Sequence, residues 1–537
     1  MQLIKKYSLF LIICLFQISF CFSQPVQEWV RSYDGPDNLG LGVNAMAMDS
    51  SGNIILTGYT NMASSRQDYC TVMYNSNGIQ QWVTIYDGII TSNGINWPNG
   101  ICVDPQGNIF VTGYSERAGF ESDDYCTIKY NSSGVQQWVS RYNSGSGSIN
   151  DANAIAIDNS GNILVTGQST NASGVFNIVT IKYNSNGDSL WVKRYTSPYN
   201  MDDAGVSITT DYSGNVYVVG KVNFQFNSHN IITIKYNSSG VQQWANIGVQ
   251  GYPCKIRLDN NNNVIIGGYE QISNLIDYVV IKYNNNGIQQ WKQNYNFLGG
   301  YDYANDLIID YQNNIYVTGR SYGGASDADY TTIKYNLQGV QQWVQRFNGP
   351  GNYFDESNSI FLDDSSNVYV TGFTSTPPPN GTSQFTTIKY NSSGDQQWLM
   401  NYPGGGYSII VDKSQNVYVS GSNNNDNVTI KYTQLVGINP ISSKIPDDFN
   451  LYSNYPNPFN PSTKIKFSIP EKSYTQLKIF NSLGDEIKTL LNEELKPGVY
   501  ELYFIDNKLS SGVYFYKLTA VSYKNNFVKT MKMILLK

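Results

Sequence analysis

Histidine is almost missing from this sequence, and charged residues are scarce. The 537 residues include one histidine, His229 in "NFQFNSHN", and Asp, Glu, Lys and Arg together make up 14% of the chain. Ser-His-Asp or Cys-His catalysis would have to use His229, yet no G-x-S-x-G or similar nucleophile motif accompanies it. Zinc-binding Cys and His clusters, P-loops and dinucleotide fingerprints are absent as well. We therefore predict no catalytic residue, no metal site and no cofactor.

Cysteine is also rare, and an apolar run lies at the N-terminus. Two lysines precede this run, which ends near Phe22 and is followed by the small Ser23. The pattern predicts an export signal over residues 1–23. An uncleaved membrane anchor is the alternative, although the run is short for a span. The mature chain then has no transmembrane segment. It keeps four cysteines, interpreted as buried free thiols: Cys70, Cys102, Cys126 and Cys254.

Helical periodicity is hard to find after the first 25 residues, whereas tyrosine and glycine are abundant. The 43 tyrosines and 47 glycines are typical of short strands joined by tight turns. A chain of 537 residues is too long for one ordinary core, so several domains or a repeat array are expected.

A three-part repeat runs through most of the chain. An Asp followed nine residues later by a Gly occurs eight times, as in "DSSGNIILTG", and "IKYN"-like and "QQW"-like segments alternate with it. A period near 50 with markers in constant order predicts a propeller or a solenoid. The repeated acids are Asp49, Asp104, Asp158, Asp211, Asp259, Asp310, Asp363 and Asp412.

Each period divides into four predicted strands, which favours a β-propeller of four-stranded blades. D-x-x-G-N and N-S-S-G predict tight turns, capped by the Asp and containing a Gly or Asn at positive φ. Because Trp29 precedes the first Asp turn and the last repeat lacks a Trp strand, the N-terminal strand is expected to complete the last blade. We predict eight blades over residues 26–433, with seven as the alternative. The fifth unit, "DNNNNVIIGG", departs most from the pattern.

These motifs resemble a known repeat family. The strand pair D-x-x-G-N-I-x-V-T-G followed by I-K-Y-N-x-x-G-x-Q-Q-W is similar to the bacterial SBBP β-propeller repeat, over about residues 26–433. The resemblance implies a scaffold or binding module and brings no shared catalytic residues.

Residues 434–445 are interpreted as a linker, and residues 446–537 form a second predicted domain. Short runs of alternating polarity predict a small immunoglobulin-like β-sandwich. The segments "NYPNPFNPST", "IFNSLGDEI" and "SGVYFYKL" resemble the type A-like C-terminal sorting domain of the type IX secretion system. That resemblance implies a Bacteroidota-like cell, recognition by the type IX machinery, and delivery to the outer cell surface or the medium. A plain immunoglobulin-like module is the alternative.

Charge is distributed unevenly between the two predicted domains. Residues 446–537 carry a net charge of +3, from 12 lysines and nine acids. The predicted signal contributes another two positive charges, so residues 24–445, the propeller with its linker, carry a net charge of −11. An acidic ring argues against a nucleic acid as partner.

The face opposite the tight turns is the predicted ligand face. Antiparallel pairing places the longer, variable connections there, and function concentrates in such loops. Acids and aromatics in these connections are expected to form an acidic, aromatic-edged mouth for a cation or a glycan. The alternative is that the acids hydrogen-bond loop backbone at strand starts. The candidate residues are Asp68, Trp97, Asp124, Asp151, Asp203, Asp277, Tyr301, Asp302, Asp329 and Asp355.

The repeated Asp turns and aromatic markers have structural interpretations. Each turn generally offers one Asp, whereas a calcium loop gathers several acidic ligands, so turn capping is favoured and a bound calcium ion stays an unsupported alternative. The repeated Trp and Tyr are interpreted as filling the interfaces between blades.

The predicted function is therefore binding. We expect an exported propeller, secreted or at the cell surface, that serves as a binding or scaffold module for a glycan, a protein or another extracellular polymer. A polysaccharide hydrolase or lyase using loop carboxylates is one alternative, and a structural component of a surface layer or adhesion matrix is another.

Overall fold

The computed structural model describes the chain from residue 25 to residue 536, with gaps. The described ranges are 25–33, 35, 40–61, 67–88, 94–116, 122–145, 147–225, 228–324, 327–376, 382–423, 426–434, 445–460, 462–505 and 509–536. The predicted export signal and residues 435–444 of the predicted linker lie outside them. Every regular element in these ranges is a β-strand, which confirms the all-β prediction. Residues 25–434 form one compact unit, and the residues after Gln434 form another.

Thirty-one strands build the first unit, the propeller. They are β1 (Val26–Tyr33), β2 (Leu41–Met48), β3 (Ile54–Asn61), β4 (Gln67–Tyr74), β5 (Gln80–Tyr86), β6 (Asn96–Val103), β7 (Ile109–Glu116), β8 (Asp123–Tyr130), β9 (Gln136–Tyr142), β10 (Asn150–Ile157), β11 (Ile163–Thr170), β12 (Phe176–Tyr183), β13 (Ser189–Tyr195), β14 (Asp203–Thr210), β15 (Val216–Gln225), β16 (Ser228–Tyr236), β17 (Gln242–Leu258), β18 (Val264–Ile272), β19 (Leu275–Tyr283), β20 (Gln289–Tyr295), β21 (Asp302–Ile309), β22 (Ile315–Tyr322), β23 (Ala328–Tyr335), β24 (Gln341–Phe347), β25 (Asp355–Leu362), β26 (Val368–Ser375), β27 (Ser383–Tyr390), β28 (Gln396–Pro403), β29 (Gly405–Val411), β30 (Val417–Asn423) and β31 (Asp426–Thr433).

Sheet pairing groups these strands into four-stranded antiparallel blades. Five blades are β2 to β5, β6 to β9, β10 to β13, β21 to β24 and β25 to β28, and β14 to β20 form two further blades that share the long β17. The last blade has the order β29-β30-β31-β1, because β1 pairs with β31 from the other end of the propeller. β2 contacts β29, so the blades form a closed ring. The closure predicted from Trp29 is present.

The tight turns are capped by their Asp, as the sequence predicts. In the first blade Asp49 Oδ1 accepts hydrogen bonds from the backbone N–H groups of Ser51 and Asn53, each at 2.9 Å. Asn53 Nδ2 donates to the other carboxylate oxygen at 2.7 Å. The third residue after the Asp has positive φ in every turn: Gly52, Gly107, Gly161, Gly214, Asn262, Asn313, Ser366 and Gln415.

The tryptophans of the repeat join neighbouring blades. Trp82 donates its indole Nε1–H to the carbonyl oxygen of Ser132 in the next blade at 3.0 Å. Its ring covers Gly134 of the same turn, where a Cβ atom would lie 2.5 Å from the indole. Trp29 makes the equivalent 3.1 Å bond to Ser76 across the ring closure. These contacts confirm that the repeated Trp fills blade interfaces.

Strands extend into two connections between the repeated markers. In "VNFQFNSHN", residues 222–225 and 228–230 lie in the extended ends of β15 and β16, which pair as far as Gln225 with Ser228. The side chain of Val222 there is buried, so apolar alternation continues the strand beyond its expected end. Between the fourth and fifth blades the chain runs through β17 without a loop, which accounts for the shortened repeat spacing in this region.

The four cysteines in the described residues are free thiols, as predicted. Cys70 and Cys126 are buried, whereas Cys102 and Cys254 are only half-buried.

The second unit consists of two sheets around one core. Its strands are β32 (Asn450–Leu451), β33 (Ser462–Ile469), β34 (Ser473–Phe480), β35 (Glu486–Leu495), β36 (Gly498–Ile505), β37 (Gly512–Ser522) and β38 (Asn526–Leu535). The sheet orders are β32-β33-β36 and β35-β34-β37-β38. Apolar side chains from both sheets, including Phe467 and Leu477, share the buried core. The predicted sandwich is therefore present.

Candidate functional site

Three of the predicted ligand-face acids support loop backbone inside the propeller. Asp203, Asp302 and Asp355 begin the first strands of their blades, and their side chains are fully buried. Asp203 Oδ2 accepts a hydrogen bond from the backbone N–H of Ser197 at 2.9 Å, and Asp355 Oδ2 accepts one from Gly349 at 2.6 Å. Burial raises the pKa of Asp203 and of Asp355 to about 6. The structure thus gives these acids the backbone-bonding role of the alternative interpretation.

Four more of the predicted acids lie on the third strands, and they are also buried and partnered. Asp124 accepts hydrogen bonds from Arg141 Nε at 2.9 Å and Asn143 Nδ2 at 2.6 Å. Asp329 pairs with Arg346 at 2.8 Å. Asp68 and Asp277 accept side-chain amide hydrogen bonds, at 3.0 and 2.6 Å respectively. Seven of the eight candidate acids are therefore enclosed and do not form an acidic mouth.

The remaining three candidates are accessible. Asp151 is half-buried and accepts a hydrogen bond from Gln168 Nε2 at 2.7 Å. The ring of Trp97 is stacked on that of Tyr59 in the preceding blade, with centroids 3.8 Å apart. Tyr301 is 54% exposed. The ten candidates therefore do not converge on one site.

A central channel of about 410 Å³ is lined by the first strand of every blade. Each of these strands has a β-bulge at the equivalent position. In five blades the bulged residue is an asparagine, and its Nδ2 donates to a backbone carbonyl of the next blade at 2.5 to 3.0 Å. This asparagine ladder consists of Asn44, Asn99, Asn153, Asn305 and Asn358. It joins blades at the axis of the ring.

The asparagine ladder is a set of residues that the sequence analysis missed. Each ladder Asn stands five residues before the Asp of its turn, as in "NAMAMD" and "NAIAID". That constant spacing is a visible signal. The other three blades have Val206, Cys254 and Tyr407 at this position, so the ladder is interrupted there.

A row of aromatic rings lies at the loop-side ends of the first and second strands of three consecutive blades. The ring of Tyr252 is stacked on that of Tyr269 at 6.0 Å, and Tyr269 meets the edge of Tyr303 in the next blade at 5.0 Å. Farther along, Phe354 is stacked on Phe373 at 5.7 Å. All five side chains are half-buried, so each keeps part of its surface accessible. We call these five residues the aromatic belt.

Cationic side chains hold the aromatic belt together. The Arg320 guanidinium lies 4.4 Å from the ring of Tyr303 and 4.9 Å from the ring of Phe354, which bridges two parts of the belt. Arg320 also pairs with Glu356 at 3.0 Å. Lys221 lies 5.1 Å from the ring of Tyr252. The rings come from three neighbouring blades, and their contacts with the two cations make the belt a preorganised surface.

The arrangement of acids gives no support to a metal centre. Within the described residues, no group of three or more His, Cys, Asp or Glu side chains is placed to hold a metal ion. The carboxylate of Asp158 in a tight turn is already occupied by Lys182 Nζ at 2.8 Å and by Asn162.

The fold and the site define a secretory β-propeller with an appended β-sandwich. Residues 453–535 match the model of the secretion system C-terminal sorting domain, and residues 81–121 match that of the SBBP β-propeller repeat. The type IX sorting domain indicates export to the cell surface or secretion, and it implies interaction with the secretion machinery. No helix in the described ranges has the length and apolar character needed to cross a membrane.

Solved propellers share the architecture. The Dos1 propeller is 8% identical over 76% of this chain and 95% of that one, with a TM-score of 0.52. The C-terminal WD40 domain of Sif2 covers 76% of this chain and 98% of its own at 10% identity (TM-score 0.47), and the polysaccharide lyase Uly1 covers 75% and 91% at 11% identity (TM-score 0.41). At 8% identity the likeness to the Dos1 propeller shows the fold alone. No curated protein matches the chain.

Proposed function

We propose that the propeller is a glycan-binding module delivered out of the cell by its sorting domain. The observation that carries this proposal is the aromatic belt, because partly accessible aromatic side chains are surfaces against which sugar rings pack. The belt spans three blades at the loop-side ends of their first and second strands, so it offers an extended site suited to a polymer.

The partnering of the loop acids supports binding without catalysis. Glycoside hydrolysis needs two carboxyl groups on either side of one sugar bond. Seven candidate acids are buried and accept hydrogen bonds from protein groups, which for Asp302 is the backbone N–H of Phe297 at 3.0 Å. The eighth, Asp151, accepts one from Gln168. A binding role uses the accessible rings and leaves these acids to hold the loops.

A glycan array with the mature full-length protein tests the proposal. We expect binding that is lost, by about tenfold or more, in Tyr269→Ala and Tyr303→Ala, because each removes a stacking platform worth more than 1 kcal/mol. Tyr212→Ala is the matched control, since Tyr212 is 88% exposed in a tight turn on the opposite face. Binding that survives both belt substitutions, or turnover of the bound polymer, would contradict the proposal.

A further inference from the structure

The fifth blade places two cations in the channel where other blades have smaller or uncharged side chains. At the position after the bulge, the eight blades carry Ala45, Gly100, Ala154, Ser207, Lys255, Asp306, Ser359 and Ser408. Two residues farther on they carry Ala47, Cys102, Ala156, Thr209, Arg257, Ile308, Phe361 and Ile410. Lys255 and Arg257 both line the channel. This is the blade whose sequence departs most from the repeat.

The charges of these side chains are only partly compensated. Lys255 Nζ lies 3.8 Å from Asp306 Oδ1, a long ion pair. Asp306 is also bonded to the backbone N–H groups of Leu307 at 2.9 Å and Ile360 at 3.2 Å. Arg257 donates from one terminal nitrogen to its neighbouring carbonyl at 3.1 Å. Two cations and one carboxylate leave this part of the channel positive, within a propeller whose overall charge is negative.

A second departure of the fifth blade from the repeat, at Gly267, makes room for the segment that contains Lys255. Gly267 stands where most blades have Thr, and a Cβ atom there would lie 2.8 Å from Leu307 Cδ1 and 3.3 Å from Cys254 Sγ. Cys254 is the bulged residue directly before Lys255. The missing Thr therefore makes room for the side chains that flank the cationic position.

We propose that the channel binds the carboxylate groups of an acidic polysaccharide through Lys255 and Arg257. The inference deepens the proposed function and rests on it. Tyr252 of the belt is three residues before Lys255 on β17, which is roughly 10 Å along a strand. A glycan lying on the belt is thus within reach of the channel. A guanidinium and an ammonium are suited to carboxylates, and the aromatic belt favours a sugar polymer over an acidic peptide.

Polygalacturonate and its carboxyl-reduced, neutral form are the two probes, measured by calorimetry with the mature full-length protein. We expect the acidic polymer to bind more tightly, with an affinity that falls as salt rises. The variant K255S/R257T, which installs the residues of the fourth blade, should lose about ten- to hundredfold in affinity for polygalacturonate and nothing for the reduced polymer. Lys413→Ser, which removes one exposed lysine from a tight turn, is the control and should bind both polymers unchanged.

The outcomes separate the two proposals. Equal affinity of the native protein for both polymers, or undiminished polygalacturonate binding by K255S/R257T, overturns the channel site while glycan binding through the belt stands. Preference for polyglutamate over polygalacturonate also overturns it. If Tyr303→Ala loses binding to both polymers, that result independently supports glycan binding through the belt. Arg257→Thr alone, which leaves the Lys255–Asp306 pair intact, gives the same test if the double variant does not fold.

Discussion

Trp398 donates its indole Nε1–H to the side-chain oxygen Oε1 of Gln434 at 3.2 Å. The seven other tryptophans of the repeat donate instead to a backbone carbonyl in a turn of the next blade. In the closing blade, strands β31 and β1 come from opposite ends of the propeller, so no such turn connects them. The amide of Gln434 takes the place of the missing turn carbonyl.

Replacing Gln434 with Ala should destabilise the propeller at its closure. Gln434 is buried; its Oε1 also accepts a hydrogen bond from Lys389 at 2.5 Å, and its Nε2 donates to Tyr369 and Gln415 at 2.9 and 2.6 Å. Because Q434A leaves buried donors without an acceptor, we expect the free energy of unfolding to fall by about 2–3 kcal/mol. Urea unfolding followed by tryptophan fluorescence measures it.

The neighbouring Gln397 provides the control. Its side chain is half-buried, and its amide donates only to the carbonyl of Asp395 at 3.0 Å among described contacts. Q397A should change the free energy of unfolding by less than about 0.5 kcal/mol. A Q434A variant as stable as Q397A would show that the closing blade does not depend on this amide.

Features that recur in phase could be predicted from the sequence. The Asp turn and the Trp that joins neighbouring blades each occur in every blade. Eight copies therefore reveal both the strand order and the closure by Trp29. Gln434 occurs once and has no such signal. Its role depends on where the two ends of the propeller meet.

The ligand face could be predicted only in part. The sequence places Asp203 and Tyr303 near the same ends of first strands, but it does not tell which side chain is enclosed by the next blade. In the structure Asp203 is buried and Tyr303 keeps accessible surface. The aromatic belt also draws on different positions in different blades, so no constant spacing marks it.

Replacing Gln415 with Gly should stabilise the last tight turn. Gln415 has φ of 62°, in the left-handed region, where a Cβ atom costs about 1–2 kcal/mol and glycine is free of that cost. Since glycine also loses more entropy on folding, we expect a net gain of about 0.5–1 kcal/mol in the free energy of unfolding. Lys413→Gly in the same turn, at a residue without positive φ, should lower it instead. Thermal unfolding measures the stability of both variants. A Q415G variant less stable than the native protein would contradict the inference that Gln415 is strained at positive φ.

Asp203 occupies a position where two other blades have asparagine. Counting eight residues back from the turn Asp, Asn96 and Asn150 are its equivalents. Asp203 is fully buried, and burial raises its pKa to about 6. In the unfolded chain the same group titrates near 3.9. The folded state therefore binds the proton more tightly, and the stability this contributes is present at low pH and is lost as the pH rises through about 6.

Asp203→Asn should therefore stabilise the propeller at pH 8, by about 1–3 kcal/mol, and have little effect near pH 4, because it removes a buried charge that exists only at high pH. Asp158→Asn is the matched control. Burial alone would raise the pKa of Asp158, but hydrogen bonds from Lys182 and Asn162 outweigh it and hold that pKa below its ordinary value. The same substitution there should destabilise the protein at pH 8. Urea unfolding at the two pH values measures both variants, and a D203N variant less stable than the native protein at pH 8 would contradict the buried-charge argument.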